Sequence, residues 1–545
     1  MTNYADVLVL AARIHTLDPE TTDPENIDPA TPAPTAVAVK DGRIAAVGSL
    51  PELEAHRGPA TTVLDFGDAT IVPGLNDSHT HVVYGLELAR GVQLTDLGPL
   101  GEVQRIVGEA ARNAKPGEWV TGWGLDPNLF TDTGFIGRLF DDATGQVPMF
   151  LRMRDGHSAV VNSAALAAAG ITGRVAFPDE SVVGVDGDGK PTGYLVEFTA
   201  MDLVTKVMPQ EDLAGRAGRL GELLKAMAAV GITSTHVMDF VEGSAELLTR
   251  LEADGELPLR LRFSPMVNAG ASLAELEEAA ALQGTGGRRW GVEGVKFFID
   301  GTIDNGSAWL EHPDVYGQNT ESVWTDPADF QKALRFFVER GIPTATHAIG
   351  DQGVRYVLEA LESAGDARKL ATHRIEHIET IPDELVVRFA ELGVAASMQP
   401  IHGTHHTKAD RSDNWSVRLG EERAARGWRC RDLREAGVTV ALGSDWPITP
   451  YDPRAMMADS ILRRPVERPD TAPVQPEQAL TPLMALEGYT THAAAAAGLG
   501  AVTGSITVSK RADFTVFARD PLAVDPEELA RTAVVATLLD GVPVR

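Results

Sequence analysis

The sequence predicts an α/β fold: a (β/α)8 TIM barrel, a small β-sandwich domain formed by both chain termini, and an insertion after the first barrel strand. Three observations carry that expectation. Short apolar runs alternate with amphipathic helical patterns through most of the chain, as in βαβ units around a parallel sheet. Eight runs fit the alternation, near 70–81, 232–237, 259–266, 294–299, 343–347, 373–377, 394–399 and 439–444. Both ends of the chain, in contrast, carry a few β-branched runs that are too short to make a stable sheet separately.

At the start, Ala5–Ala11, Ala36–Val39 and Arg43–Val47 read as strands, with Lys40-Asp41-Gly42 as the turn between the last two. The stretch 18–35, rich in Pro, Thr and Asp, reads as a loop. At the far end Ala512–Ala518 and Val534–Leu539 read as strands, and Asp540-Gly541 turns the chain into Val542. The expected division is therefore a small β domain from 1–69 and 500–545, and a barrel over 70–499. The first connection, 83–210, is far longer than a loop and one helix. It holds strand-like runs of its own at Trp119–Trp123 and Pro148–Arg154, and a hairpin at Ser181–Leu195 turning at Asp186–Gly189. An inserted domain covering the barrel mouth is the expectation.

The helices follow from apolar spacing. Leu213, Leu220, Leu223, Leu224 and Met227 recur at helical intervals over Glu211–Val230, and Gly231 stops the run. Pro327 sits in the first turn of a helix that lines up Phe330, Leu334, Phe337 and Val338. Val354, Val357, Leu358 and Leu361 mark a third helix, and Pro382–Leu385 opens a fourth that ends near Gly393.

Charge narrows the function. Against 77 acidic residues stand 48 basic ones, a net charge of −29 that nucleic acid and anionic membranes would repel. The single Cys430 excludes an internal disulfide and a thiolate metal cage. No apolar run reaches the roughly 18–20 residues of a membrane helix, and Met1–Val7 lacks the character of a signal peptide. A cytoplasmic enzyme acting on a small molecule is expected, with a homodimer left open as its assembly.

His79-Thr80-His81 is the most informative motif, because side chains two apart on a strand share a face and can converge on one ion. Alone it is weak. Thr346-His347-Ala348, Glu376-His377-Ile378 and Ser444-Asp445-Trp446 each close a further short apolar run, and Lys296 lies on the fourth strand. Together they read as a metal constellation at strand ends, where a barrel of this kind places its active site. Such a centre is the mark of a hydrolase.

The segment from Pro73 to His81 resembles the first-strand motif of the amidohydrolase superfamily. Gly156-His157-Ser158, Val161–Leu166, Thr346–Asp351, Arg374–His377, Ser397-Met398-Gln399-Pro400 and Gly443–Pro447 are similar to one branch of it, amidohydrolase family 3. The likeness spans essentially the whole chain, including Gly504-Ser505-Ile506 and Lys510–Phe514. Asn76, Trp309 and Asp304-Asn305-Gly306 depart from the commoner wording and bear on substrate choice.

The resemblance implies one or two divalent ions per chain, most commonly Zn, held by His79, His81, Lys296, His347, His377 and Asp445. Lys296 would bridge two ions as a carbamate, the bland alternative being an ion pair with an acid such as Asp300. A held ion lowers the pKa of bound water from 15.7 to roughly 7. Asp445 would take its proton and return it to the leaving nitrogen, with His157 as an oxyanion donor or substrate contact. Further candidate substrate contacts are His236, Trp123, Arg154 and Trp446, each of which has a packing or ion-pair alternative. His402, His405 and His406 read as an exposed loop cluster, with transient metal capture as the alternative, and the latter two are left out of the site.

The implied reaction is hydrolysis of a non-peptidic C–N bond, an N-acyl or N-formyl amide. A deaminase or a cyclic-amide or carbamate hydrolase on the same barrel is the alternative. A non-catalytic scaffold would have replaced a ligand or Asp445, and none is missing.

Overall fold

The computed structural model describes residues 4–18, 33–95, 98–130, 134–154, 156, 158–177, 181–209 and 211–545. The chain divides into two compact units, Met1–Val82 with Ala217–Arg545 and, separately, Val83–Arg216.

The first unit is an α/β fold of the TIM-barrel type, with extra strands from the chain ends. One parallel sheet joins Leu75–Thr80, Ile232–Val237, Arg260–Phe263 and Trp290–Val292. A second joins Met266–Val267, Val295–Phe298, Thr344–Ala348, His373–His377, Ala395–Met398 and Val440–Leu442. The third expected strand, 259–266, breaks at Ser264-Pro265 and enters both sheets; the fourth, 294–299, is Val295–Phe298 of the second sheet, and the unexpected Trp290–Val292 of the first sheet precedes it across Glu293-Gly294. Pro265 has no N–H to continue a ladder, and Gly294 has φ +101°, which a strand residue with a side chain rarely adopts.

The first and last parallel strands are stitched together at their ends. The Asp445 N–H donates to the His79 carbonyl at 2.7 Å, and the His81 N–H donates to the Trp446 carbonyl at 2.9 Å. Asp77 Oδ1 accepts from the Ser444 N–H at 3.0 Å.

The run expected as one strand over 70–81 is two strands. Thr70–Pro73 pairs antiparallel with Phe514–Phe517 in a five-stranded terminal sheet, whereas Leu75–Thr80 pairs parallel with Ile232–Val237. Gly74 marks the change of sheet: a Cβ there would lie 2.3 Å from Thr233 Oγ1. Arg43–Gly48, Ala36–Lys40, Val7–Leu10 and Thr62–Asp65 form a second terminal sheet. Val9, Val37, Ile71, Phe514 and Leu538 meet in one core between strands of the two sheets.

Helices Leu213–Ala229, Pro327–Val338, Asp351–Ser363 and Asp383–Leu392 match the spacing argument. Asp326 caps the second by accepting from the Ala328 N–H, and Gly393 at φ +65° ends the fourth. Their apolar faces bury Phe330, Phe337, Leu358 and Phe389 with Phe297 and Ile375 of the strands. Each such side chain contributes about 1.5–3 kcal/mol of transfer free energy, which holds the strand ends rigidly.

The second unit is built on a six-stranded sheet in the order Val182–Val185, Pro191–Val196, Ser158–Val161, Met149–Met153, Val120–Leu125, Val92–Gln93. The helix Leu100–Asn113 lays Val103 and Val107 against it. No helix among the described residues is long and apolar enough to cross a membrane.

Candidate metal centre

His79 and His81 are both fixed by a carboxylate on Nδ1. Glu376 Oε2 lies 2.7 Å from His79 Nδ1, and Asp239 Oδ2 lies 2.9 Å from His81 Nδ1. Both Nε2 atoms are thereby directed at Asp445 Oδ1, at 3.5 Å each. Ligands on a tetrahedral ion stand about 3.3 Å apart for bonds near 2.0 Å, so this spacing suits one cation between the three groups. A carboxylate behind each imidazole is the usual means of fixing a ligand's tautomer and raising its basicity.

The electrostatics agree with the ligand reading. Burial, with Lys296 nearby, holds the His79 imidazole well below its ordinary pKa, so it is neutral and free to donate a lone pair. Burial works against charge at His81 too, but its hydrogen bonds to Asp239 and Asp445 overcome that and raise it to about 9. Burial also opposes the Asp445 carboxylate, yet His79 and His81 outweigh it and keep the carboxyl well below its usual range.

Asp445 and His377 share an unusual backbone state, with φ +55° and φ +74°. Left-handed conformations in non-glycine residues cost on the order of 1–3 kcal/mol and persist where the surroundings enforce them. Both lie at the ends of strands, where the chain must turn a side chain toward the centre. The His377 ring centroid is 4.9 Å from that of His79 and 4.5 Å from that of His347.

Lys296 is completely buried, and burial lowers its ammonium to about 8. Its Nζ lies 3.4 Å from His79 Nε2 and over the Phe298 ring. The alternative of an ion pair with Asp300 is not found. Asp300 instead accepts the backbone N–H groups of Trp309, Ile349 and Gly350, and Lys296 makes no ion pair within 4.0 Å among the described residues. His347 stacks on Phe298 with centroids 4.5 Å apart, and its Nε2 lies 3.1 Å from the Gly301 carbonyl.

The other predicted contacts are placed differently. His236 is buried with Nε2 2.9 Å from Ser264 Oγ, so it has a structural partner. Trp446 is half-buried, its ring 6.3 Å from that of Tyr451. In the second unit Trp123 is buried and exposed Arg154 pairs with Asp126 at 3.6 Å. His157 lies outside the described residues.

Sequence reasoning missed two kinds of group. Glu376 and Asp239 orient the first two histidines, and Arg374 braces Glu376 at 2.6 Å while donating to the Ser78 carbonyl. The other is His402. It is buried on the helix Pro400–His406, with Nε2 3.8 Å from Asp445 Oδ2, and joins His377 and Asp445 in a second cluster with ligand atoms within 4.8 Å. Its signal was the Gln399-Pro400 turn directly after a strand. His405, left out of the site, pairs with Asp459 at 2.9 Å.

Comparison with known proteins agrees with this geometry. The sequence pattern of the amidohydrolase family matches residues 62–545. The chain is 29% identical over 560 residues to N-substituted formamide deformylase of Arthrobacter pascens, covering 99% of this chain and 98% of that one. It is 28% identical over 565 residues to the protein LONG AFTER FAR-RED 3 of Arabidopsis thaliana, covering 98% and 91%. Among solved structures, an uncharacterized metal-dependent hydrolase of Pyrococcus horikoshii superposes with a TM-score of 0.73 at 22% identity, covering 95% of this chain and 99% of that one. With the match running through nearly all of the chain and the histidine–carboxylate clusters at its strand ends, the protein belongs to the amidohydrolase family and is a metal-dependent hydrolase of carbon–nitrogen bonds.

Proposed function

We propose that the protein hydrolyses an N-acyl or N-formyl amide to an amine and a carboxylate, on eight parallel strands closed into a barrel. The observation that carries this reading is Asp445, whose Oδ1 stands 3.5 Å from the Nε2 atoms of both His79 and His81. Its likeness to a formamide deformylase over 98% of that protein's length supports the substrate class.

The donor set fits a divalent cation, most simply Zn, because two carboxylate-backed imidazoles and a carboxylate converge while an orphaned imidazole nitrogen, His402 Nε2, faces the same carboxylate. A bound cation here supplies a water of lowered pKa and polarises a carbonyl. The rest of the work falls to the protein. His79, His81, His347, His377 and Asp445 would hold one or two such cations, and Glu376 and Asp239 keep the first two rings aimed. Asp445 receives the water's proton on its carboxylate and delivers it to the departing amide nitrogen, so the amine leaves neutral. Lys296, buried and with its ammonium weakened by burial, is a good precursor of a carbamate. Its nitrogen bonds to the carbon of CO2 and releases a proton, giving a further anionic ligand.

The test is metal content per chain, measured on protein purified without chelator and with bicarbonate present, followed by a panel of N-substituted formamides and acetamides. Two ions and release of formate or acetate with the amine are expected. Release of ammonia from an aminated ring, with no amide cleaved, would replace this reading with a deaminase.

A further inference from the structure

Glu379 is a buried carboxyl beside the candidate metal centre, and the reaction described above gives it no part. It stands two residues beyond His377, with 9% of its surface exposed. One oxygen is occupied: Trp415 Nε1 donates to Oε2 at 2.7 Å. Among the described residues Oε1 accepts no hydrogen bond, and the carboxyl makes no ion pair. The charges that bear on it are those of Asp304, Asp300 and Asp445, all acidic. A buried carboxylate ordinarily has a cation or several donors beside it, because its lost hydration must be replaced.

The position is enforced by the helix Asn414–Ala424 and the turn after it. The Glu379 carbonyl accepts from the Trp428 N–H at 2.9 Å, and Thr380 Oγ1 donates to the Arg423 carbonyl at 3.1 Å. Trp415 and Trp428 are both buried, with ring centroids 4.7 Å apart, and form a stiff backing. The same helix turn holds another acid, for Asn414 Nδ2 donates to Asp304 Oδ1 at 2.8 Å. Adjacent residues thus fix two carboxyls, and one of them lies in the stretch that departs from the commoner family wording. Like charges gathered without a base oppose folding, which points to a use other than stability.

We propose that Glu379 is a specificity-determining residue that binds a positively charged group of the substrate, so that the preferred amide carries a protonated amine a few carbons from the bond cleaved. The inference rests on the amide-hydrolysis reading above and narrows its substrate class. In an N-formyl amide the acyl part is one carbon bearing hydrogen, so the cation belongs to the amine part. Two residues of chain span at most about 7 Å, which keeps Glu379 near His377 and the connecting segment short. Oε1 accepts from the ammonium, Trp415 keeps the carboxyl aimed, and Asp304 adds to the negative potential. The net charge of −29 draws such a substrate toward the protein.

The experiment compares two amides of equal length on the metal-loaded full chain. N-(aminopropyl)formamide ends in an ammonium, and N-butylformamide ends in a methyl at the same place. Wild type should favour the cationic amide by about 10–100-fold in kcat/KM, as one charge-assisted contact provides. Glu379→Gln should bring that ratio close to one with the metal content of wild type, and Glu379→Asp, which keeps the charge, should retain part of the preference. Equal use of both amides by wild type, an unchanged ratio in Glu379→Gln, or loss of metal from that variant overturns the proposal. Should Glu379→Gln fail to fold, Asp304→Asn at the exposed acid decides: the ratio falls by a smaller factor, or the proposal is overturned. If neither amide is cleaved, the reaction reading fails by itself. Calorimetry with N-(aminopropyl)formamide then supports the cation site if wild type binds it more tightly than Glu379→Gln, and overturns it if the two bind alike.

Discussion

The strand His373–His377 carries a buried histidine at each end, and the two differ in a way that explains the centre. His373, at the start, has Nδ1 2.9 Å from Thr344 Oγ1, and burial lowers it to about 4. His377, at the finish, is also pulled down by burial, and it too has an unpaired ring nitrogen. Burial and an orphaned nitrogen are therefore common to both. What distinguishes His377 is company: His402 and Asp445 place ligand atoms within 4.8 Å, and its φ of +74° turns it out of the strand's alternation. Convergence of donors, rather than burial of one, makes a site.

The largest effect should come from the finishing end. Asp445→Asn removes the base but keeps an oxygen donor, so turnover should fall by about 10²–10⁴-fold while part of the metal stays. Steady-state kinetics beside elemental analysis check this, and near-normal turnover would remove Asp445 from the mechanism. Glu376→Gln loosens the support of His79, and metal affinity should weaken by about 10–100-fold in a chelator competition.

At the starting end the expected effect is on stability alone. The folded His373 titrates near 4 and an unfolded histidine near 6.5. As pH falls the unfolded chain takes the proton first, so the stability this neutral imidazole allows is complete above about 6.5 and lost toward 4. His373→Gln should flatten the decline of the unfolding free energy, from denaturant titrations, between those values by at most about 1.4 kcal/mol per pH unit, with activity retained. An equally steep acid decline in the variant would show that other groups set it.

The smallest effect belongs to a cavity of about 620 Å³ lined by Glu311, Asp351, Glu384, Arg423 and Arg426. It is hollow and strongly charged, yet its groups have partners: Glu384 binds Arg355 at 2.9 Å and Arg426 binds Glu422 at 2.6 Å. Arg426→Ala should change activity less than twofold and stability by about 0.5 kcal/mol or less. A large loss of turnover there would show that hollowness is the better guide after all.

These contrasts also explain what could be read from the sequence. Periodicity located the parallel strands and their helices because each must bury one face, and a period of two or 3.6 is all that requires. Strand ends then pointed to His79, His81, His377 and Asp445 together. The division at Gly74 was hidden because both halves of 70–80 read as extended chain, and which sheet each joins depends on partners more than 150 residues away. Glu376 was hidden for a related reason: its role is defined by an imidazole almost 300 positions earlier. On the short helix Pro400–His406 the three histidines lie three and four residues apart, and that spacing alone does not say that His402 is buried while His406 is exposed.

The strand change at Gly74 also sets an order of events during synthesis. Leu75–Thr80 is among the early elements to leave the ribosome, but Thr70–Pro73, which leads into it, pairs with Phe514–Phe517. Thr515 Oγ1 lies 3.3 Å from the Leu75 N–H and donates to the Gly231 carbonyl at 2.6 Å. The strand bearing His79 and His81 can pair early with Ile232–Val237, but its link to the terminal sheet forms only after Phe514–Phe517 has been translated. Asp445 emerges before that link can form, so the carboxylate that faces both imidazoles is made while the strand carrying them still lacks its hold on the terminal sheet.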